Sequence, residues 1–233
     1  ESYLIEQESF VFIKDREERY YLISYLNDEN EVELPDSIEN HYYTVSANAF
    51  YDKSLEKVIL PNKELEVEAD SFKNCYSLAE IYFNGSMEDW IQSSYTGKVF
   101  SSCKYYFYKN ETWERITHIE IPNGVTSISE DKFYGFYGVD SITLPLDCQI
   151  DSNAFSSITI KNIYYNSTIE SWCNSASYTG DIFFKENYVN HFYISNGSEW
   201  EEVIDLVIPD TVSMLREKAF CNFTNLTSVI ITD

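Results

Sequence analysis

Residues 71–83 have the sequence Ser71-Phe72-Lys73-Asn74-Cys75-Tyr76-Ser77-Leu78-Ala79-Glu80-Ile81-Tyr82-Phe83, and variants of this stretch recur along the chain. Five segments share a phenylalanine that follows an apolar residue by five positions: Val45/Phe50, Val67/Phe72, Ile128/Phe133, Ile150/Phe155 and Leu215/Phe220. Phe50 and Phe72 are 22 residues apart, as are Phe133 and Phe155. A repeat of about 22 residues is typical of a solenoid, because stacked repeats bury a continuous core that one repeat alone cannot bury.

Each copy continues into a predicted short strand whose inward residues are two positions apart, since side chains alternate along a strand. These pairs are Val58/Leu60, Ile81/Phe83, Ile142/Leu144, Ile163/Tyr165 and Val229/Ile231. Proline follows several strands, as at Pro61 and Pro145, and ends them because it has no N–H to donate. The segment around each repeat phenylalanine, such as residues 69–74, is predicted to be a helical turn. We expect the strands to stack into one sheet.

Cys75 lies three residues after its repeat phenylalanine, where Phe136 and Phe223 stand in other copies. A position shared by cysteine and phenylalanine is predicted to belong to the core. The five cysteines include no Cys-x-x-Cys pair, so we expect free thiols and neither a zinc site nor a disulfide framework.

Two inserts, residues 84–118 and 166–205, interrupt the short repeat and resemble each other. Ser86 and Thr168 are predicted helix N-caps, because a hydroxyl can accept a hydrogen bond from a free helix amide. Trp90 and Trp172 then anchor short helices on the solenoid; the alternative is a carbohydrate-stacking pair. In residues 1–35, the apolar runs 10–13 and 20–23 flank a charged turn and predict a β-hairpin that caps the array of residues 36–233.

The sequence resembles the BspA-like leucine-rich repeat proteins of bacterial surfaces and some protozoa. The residues that carry the resemblance are Ile121-Pro122-Asn123-Gly124-Val125-Thr126-Ser127-Ile128, Ala49-Phe50-Tyr51, Phe72-Lys73-Asn74-Cys75-Tyr76-Ser77-Leu78 and, for a module of gut-bacterial members, Asn84-Gly85-Ser86-Met87-Glu88-Asp89-Trp90. The resemblance spans residues 32–233. It implies a mainly β leucine-rich-repeat solenoid with short helices, an extracellular location, either secreted or attached to the cell surface, and binding to host proteins, matrix or other cells. It implies no fixed binding residues.

Two repeats depart from the family pattern. Lys132-Phe133 stands where the family has Ala-Phe, and the loop after Phe155 is short. We expect distortion of the solenoid at both places.

Composition limits the partners. The net charge is −23, which repels phosphate backbones and anionic lipid, so nucleic acid and membrane surfaces are poor partners. The charge serves solubility or attracts a basic partner. The sequence contains no run of about 20 apolar residues, which is the length that a membrane-spanning helix needs. The chain starts at Glu1 without a basic segment followed by an apolar one, so we expect a fragment or a mature product.

Sequence motifs for catalysis, metal binding or cofactors are not found. His41, His118 and His191 are far apart in sequence, and the seven glycines form no phosphate-binding loop. We therefore expect no enzyme, no cofactor and no metal, but a monomeric module that binds a protein or glycan. A structural spacer within a larger surface protein is the alternative.

The candidate binding residues lie between the inward residues of each strand, because the intervening side chain must point outward. They are Glu33, Ile59, Tyr82, Glu120, Thr143, Tyr164, Val207 and Ile230. Strands about 4.8 Å apart would align them as a ladder. Large apolar side chains on an outward face are costly to leave in water, so their presence there has one of two explanations. Either an insert covers part of the ladder, or the ladder contacts a partner, with Tyr82 and Tyr164 as anchors.

Overall fold

The computed structural model describes residues 3–63, 65–151, 153–175, 178, 191–195 and 197–232. The chain divides into two compact units, Glu1–Ile116 with Gly135–Tyr137 (unit 1) and Thr117–Tyr134 with Gly138–Asp233 (unit 2). The proposed boundary after residue 35 stays a prediction. Residues 176, 177, 179–190 and 196 of the second predicted insert lie outside the described residues.

Unit 1 contains two five-stranded sheets among its described residues. Its elements are β1 (Tyr3–Gln7), β2 (Phe10–Lys14), β3 (Tyr20–Tyr25), β4 (Glu31–Glu33), β5 (Tyr43–Val45), β6 (Lys57–Leu60), β7 (Glu66–Val67), β8 (Glu80–Phe83), α1 (Met87–Gln92), β9 (Lys104–Lys109) and β10 (Thr112–Arg115). The major sheet has the order β10-β9-β8-β6-β4, with β4, β6, β8 and β9 parallel and β10 antiparallel at the edge. The minor sheet has the order β1-β2-β3-β5-β7.

Unit 2 repeats this arrangement with a shorter minor sheet. Its elements are β11 (His118–Glu120), β12 (Ser127–Ile128), β13 (Ser141–Leu144), β14 (Gln149–Ile150), β15 (Asn162–Tyr165), α2 (Ile169–Asn174), β16 (His191–Ser195), β17 (Trp200–Glu202), β18 (Asp205–Ile208) and β19 (Ser228–Ile231). The major sheet has the order β11-β13-β15-β16-β17, where β17 is the antiparallel edge strand. Strands β12 and β14 form one two-stranded sheet, and β18 and β19 form another.

The predicted N-terminal hairpin is confirmed by the antiparallel pairing of β2 with β3. Asp15 orders its turn by accepting hydrogen bonds from the backbone amides of Glu17 (2.8 Å) and Arg19 (3.0 Å). Strand β1 adds a third antiparallel strand that the sequence did not predict. The hairpin joins the repeats because β3 pairs in parallel with β5.

The repeat phenylalanines stack on one another, which confirms the solenoid. The rings of Phe50 and Phe72 are 4.5 Å apart and nearly parallel, and those of Phe133 and Phe155 are 5.3 Å apart at 6°. Backbone hydrogen bonds join successive turns, with the Phe50 amide donating to the Ser71 carbonyl at 2.9 Å. Phe100, from the first insert, extends the first column by packing 5.1 Å from Phe72.

The segments around the repeat phenylalanines are turns and not the predicted helical turns. Asn48 and Asp52 on either side of Phe50 have φ angles of 64° and 58°, and Asp70 and Asn74 bracket Phe72 with 62° and 66°. Left-handed residues interrupt a right-handed helix, and Asn and Asp adopt that conformation more readily than other non-glycine residues. Each of these two phenylalanines therefore lies between two turns, and each turn contains an Asn or Asp in the left-handed conformation.

Four of the five predicted inward pairs are buried: Val58/Leu60, Ile81/Phe83, Ile142/Leu144 and Ile163/Tyr165. Val229 and Ile231 are in register with the buried Leu206 and Ile208 and so share their inward side, but they are 58% and 69% exposed. They lie on β19, which pairs only with β18 among the described strands, so no neighbouring repeat covers them. The expected single sheet is wrong, because β10 and β17 pair antiparallel at one edge of each major sheet.

Lys132 occupies the position that Ala49 and Ala154 hold in other repeats, and its side chain is only 1% exposed. The expected distortion is not seen there or after Phe155. Phe133 is buried, and β12 and β14 pair in register. The alkyl stem of lysine thus fits a core position, while burial lowers the pKa of its ammonium group to about 8.

We predict that Lys132→Met stabilises the protein at pH 7, because a buried ammonium carries a desolvation cost and methionine does not. The expected gain is on the order of 1–3 kcal/mol in the free energy of unfolding. The unfolded lysine has its ordinary pKa of 10.5. Between pH 8 and 10.5 the unfolded state binds more protons, so wild-type stability rises with pH and the advantage of the variant shrinks. Denaturant titrations at pH 7, 9 and 10.5 measure this. The exposed Lys161→Met is the control, and an advantage independent of pH would contradict the prediction.

All five cysteines are free thiols. Cys103, Cys148 and Cys173 are buried, while Cys75 is half-buried and its thiol donates to the Phe50 carbonyl at 3.0 Å. Burial raises the pKa of the Cys103 thiol to about 12, and a protonated buried thiol reacts slowly.

We predict that an aromatic disulfide reagent modifies only Cys75 and Cys221 in the native protein, because both are partly exposed. All five thiols should react in denaturant without a reducing agent. Absorbance of the released thiolate gives both counts. Fewer than five thiols in denaturant would reveal a disulfide.

Candidate functional site

The predicted outward residues lie in three separate sheets and do not form one ladder. Glu33, Ile59 and Tyr82 are in register in the major sheet of unit 1. Glu120, Thr143 and Tyr164 are in register in the major sheet of unit 2. Val207 and Ile230 pair with each other on β18 and β19, where both are exposed. Residues of the same group are therefore neighbours in one sheet, and the three groups lie in different sheets.

In unit 1 the outward row continues into an aromatic cluster from the first insert. Tyr106 on β9 is the partner of Tyr82, and their rings are 4.4 Å apart at 6°. Trp113 on β10 contacts Tyr82 edge-on at 5.0 Å and also contacts Tyr108 at 5.1 Å. We call Tyr82, Tyr106 and Trp113 the first triad.

Unit 2 contains the same arrangement, built from the second insert. Tyr193 on β16 stacks on Tyr164 with ring centres 4.6 Å apart at 8°. Trp200 on β17 contacts Tyr164 edge-on at 5.3 Å. We call Tyr164, Tyr193 and Trp200 the second triad. Its geometry matches the first because β17 pairs with β16 as β10 pairs with β9.

Charged side chains surround the first triad. The ammonium of Lys57 lies 4.3 Å above the centre of the Tyr82 ring, a cation–π contact, and pairs with Glu31 at 3.0 Å. The Glu80 carboxylate accepts hydrogen bonds from the hydroxyls of Tyr82 (3.4 Å) and Tyr106 (3.2 Å). Burial, reinforced by the nearby Glu80 charge, raises the pKa of Tyr82 to about 12. Both faces of the Tyr82 ring are therefore occupied within the protein.

Neutral polar side chains border the second triad. His118 contacts Ser141 through Nδ1 at 3.0 Å and Thr143 through Nε2 at 2.9 Å, and its ring meets Tyr164 edge-on at 5.8 Å. Burial lowers the pKa of His118. On the far side, Glu202 lies opposite Tyr193, and its hydrogen bond from His191 holds the pKa of the carboxyl below its usual range.

The other two tryptophans of the inserts are anchors, as predicted. Trp90 on α1 and Trp172 on α2 are fully buried. Ser86 and Thr168 cap these helices, each accepting from the backbone amide three residues on. Trp172 donates from Nε1 to the Ala219 carbonyl at 2.9 Å. A sugar therefore cannot stack on either of these two indoles.

Sequence reasoning missed four members of the triads, Tyr106, Tyr193, Trp113 and Trp200. The available signal was their repetition, because Tyr106 and Trp113 each recur 87 residues later as Tyr193 and Trp200. Trp113 and Trp200 lie on β10 and β17, the antiparallel edge strands that extend each major sheet. The two indoles belong to the inserts, and each contacts one tyrosine of the predicted ladder.

Within the described residues, no three His, Cys, Asp or Glu side chains are placed to hold a metal ion. No helix in that same set is both long and apolar enough to cross a membrane. The two triads offer aromatic surface and hydroxyls, and Glu80 and Glu202 beside them offer carboxylates. These groups can bind a partner through stacking and hydrogen bonds.

The chain belongs to the BspA-type leucine-rich repeat family. The family profile, described as a BspA type leucine-rich repeat region of six copies, matches residues 102–198 and 198–233, which together are more than half of the chain. No curated protein matches the sequence.

Two solved structures are similar to the chain. One is a leucine-rich cell surface protein of Faecalibacterium prausnitzii A2-165, with 17% identity over 99% of this chain and 73% of its own, at a TM-score of 0.44. The other is the leucine-rich repeat protein TpLRR of T. pallidum, with 16% identity over 71% of this chain and 86% of its own, at a TM-score of 0.33.

We predict that His118 makes wild-type stability depend on pH near the second triad. Because burial lowers its pKa below the usual 6.5, the unfolded state binds the proton more readily, and the contribution of the neutral ring is lost as pH falls through 6.5. His118→Gln keeps polar contacts without titrating. Its melting temperature should therefore gain on wild type between pH 7.5 and 5.5.

Titration of the many carboxylates affects both proteins equally, so only the difference between the two melting temperatures is compared. His41→Gln, at an exposed histidine, serves as the matched control. An unchanged difference across that pH range would show that His118 is not held neutral by its surroundings.

Proposed function

We propose that the chain is a non-catalytic binding module of a bacterial surface protein and that the outer faces of its two major sheets contact the partner. One observation carries the proposal. The same Tyr-Tyr-Trp triad occurs in both units, at the same sheet positions, on the side that faces away from the core.

The exposure of Trp200 in the second triad and of Tyr108 beside the first triad supports a contact role. Trp200 and Tyr108 are 43% and 42% exposed. Tryptophan and tyrosine lose little conformational entropy when a partner covers them, and they are enriched among residues that dominate binding energy. Grouped apolar rings on a surface favour association. The partner on this proposal is a protein or a glycan, and the net charge of −23 disfavours nucleic acid.

A location outside the cell is part of the same proposal. It is supported by the family to which the chain belongs. Solenoids of this kind present long outward rows of side chains that can vary without disturbing the core.

A spacer that only separates other parts of a surface protein is the second candidate function. The closed environment of Tyr82 favours it, since Lys57 and Tyr106 already cover the two faces of this ring. On that view the tyrosines stabilise the edge of the sheet through cross-strand stacking.

We predict that the double variant Trp113→Ala/Trp200→Ala lowers capture by at least tenfold on plates coated with matrix proteins, mucins or polysaccharides. Both indoles contact the rest of the protein mainly through one or two rings, so the melting temperature should fall by only about 2–4 °C. Tyr82→Ser/Tyr164→Ser should cost more stability, about 1 kcal/mol for each lost stack.

Tyr76→Ala is the control, because Tyr76 is strongly exposed but lies in a turn away from both triads. Capture that survives the tryptophan variant would show that the partner binds elsewhere than at the two indoles. Wild-type protein that binds no coat would support the spacer and refute the binding role.

A further inference from the structure

We propose that the outer face of the major sheet in unit 2 binds a neutral carbohydrate, with one sugar ring seated against Trp200 beside Ser195. This inference rests on the proposed binding function and names the class of ligand for one of the two faces. The argument depends on how the second triad differs from the first.

The two tryptophans have different neighbours at one equivalent position. In unit 1, Trp113 pairs with Tyr108 across the β9–β10 hairpin, and the two rings touch at 5.1 Å. In unit 2, the partner of Trp200 in the same register is Ser195. Among the described residues, Tyr164 is the one ring that contacts Trp200. Trp200 is consequently 43% exposed. Trp113 is less exposed and falls in the intermediate range.

The exchange of tyrosine for serine removes from beside Trp200 the ring that packs on the equivalent indole in unit 1. In unit 1 that phenol ring shields the tryptophan. A pyranose ring has similar width, and the C–H groups on its face pack against an indole as the phenol does. The protein therefore contains, in its own first unit, an example of the ring contact that the ligand would make in the second.

The row of side chains next to the triad has a different composition in unit 2. In unit 1 the four residues in register across β4, β6, β8 and β9 are Glu31, Lys57, Glu80 and Lys104. In unit 2 the corresponding residues across β11, β13, β15 and β16 are His118, Ser141, Asn162 and His191. His118, Ser141 and Asn162 replace charged residues of unit 1 with groups that can both donate and accept hydrogen bonds, and His191 replaces Lys104 and contacts the Glu202 carboxylate.

Hydrogen-bonding groups on the two strands nearest the indole favour a ligand rich in hydroxyls. Ser195 pairs directly with Trp200, and Glu202 lies two residues beyond Trp200 on the same strand. The Glu202 carboxylate, whose pKa is held low by its hydrogen bond from His191, can accept from sugar hydroxyls. An acidic glycan would be repelled by the net charge of −23.

Affinity electrophoresis tests the proposal with native gels that contain galactomannan, arabinoxylan or mixed-linkage β-glucan. Wild type should be retarded in at least one gel relative to a gel without polysaccharide. Trp200→Ala should raise the dissociation constant at least tenfold. Ser195→Tyr, which restores the ring present in unit 1, should block binding equally while leaving the melting temperature unchanged or higher. Tyr76→Ala, which removes an exposed ring outside both triads, should bind as wild type does.

Each outcome decides between the proposals. Retardation that Tyr76→Ala and Trp200→Ala reduce equally, or that Ser195→Tyr leaves intact, would overturn the assignment to Trp200. No retardation in any gel together with capture on protein-coated plates would overturn the carbohydrate inference and leave the binding function standing. No capture on any surface would overturn both.

Discussion

Stacking of one repeat on the next is the interaction on which the whole structure depends. A single repeat of about 22 residues presents an apolar strand face and one phenylalanine, and it has no second layer of its own to cover them. The neighbour supplies that layer, as when Phe72 covers Phe50 at 4.5 Å and the Phe50 amide donates to Ser71. Burial of one phenylalanine contributes about 2–3 kcal/mol, so the column couples the stability of neighbouring repeats.

The same stacking places the outward residues in register whatever their residue type. Adjacent strands fix the spacing through backbone hydrogen bonds, so an outward side chain needs only to tolerate its neighbours. Unit 1 fills one row with alternating glutamate and lysine, and unit 2 fills the same row with histidine, serine and asparagine. The inward positions show no such freedom, since both units keep them apolar and buried.

The inward half of the structure was therefore predictable and the outward half was less so. Spacing alone identified Val58, Ile81 and Phe83 as core, and it identified the hairpin and both insert helices. Spacing could not place Trp113, because its position depends on the antiparallel strand β10 and not on the repeat. It also could not show that Ile231, an inward residue, stays exposed because it has no next repeat on its open side among the described residues.

Lys132 and Ser195 show the two ways in which a repeat protein can depart from its own pattern. Lys132 breaks the inward pattern, and the fold absorbs it at the expense of a desolvated ammonium group whose pKa falls to about 8. Ser195 departs from its counterpart on the outward side, and no core contact is lost when tyrosine is replaced there. Because an outward exchange leaves the stacking intact, a change at one position on β16 can uncover an indole while the sheet beneath it stays the same. The outward face is thus the one where the solenoid accepts variation without loss of stability.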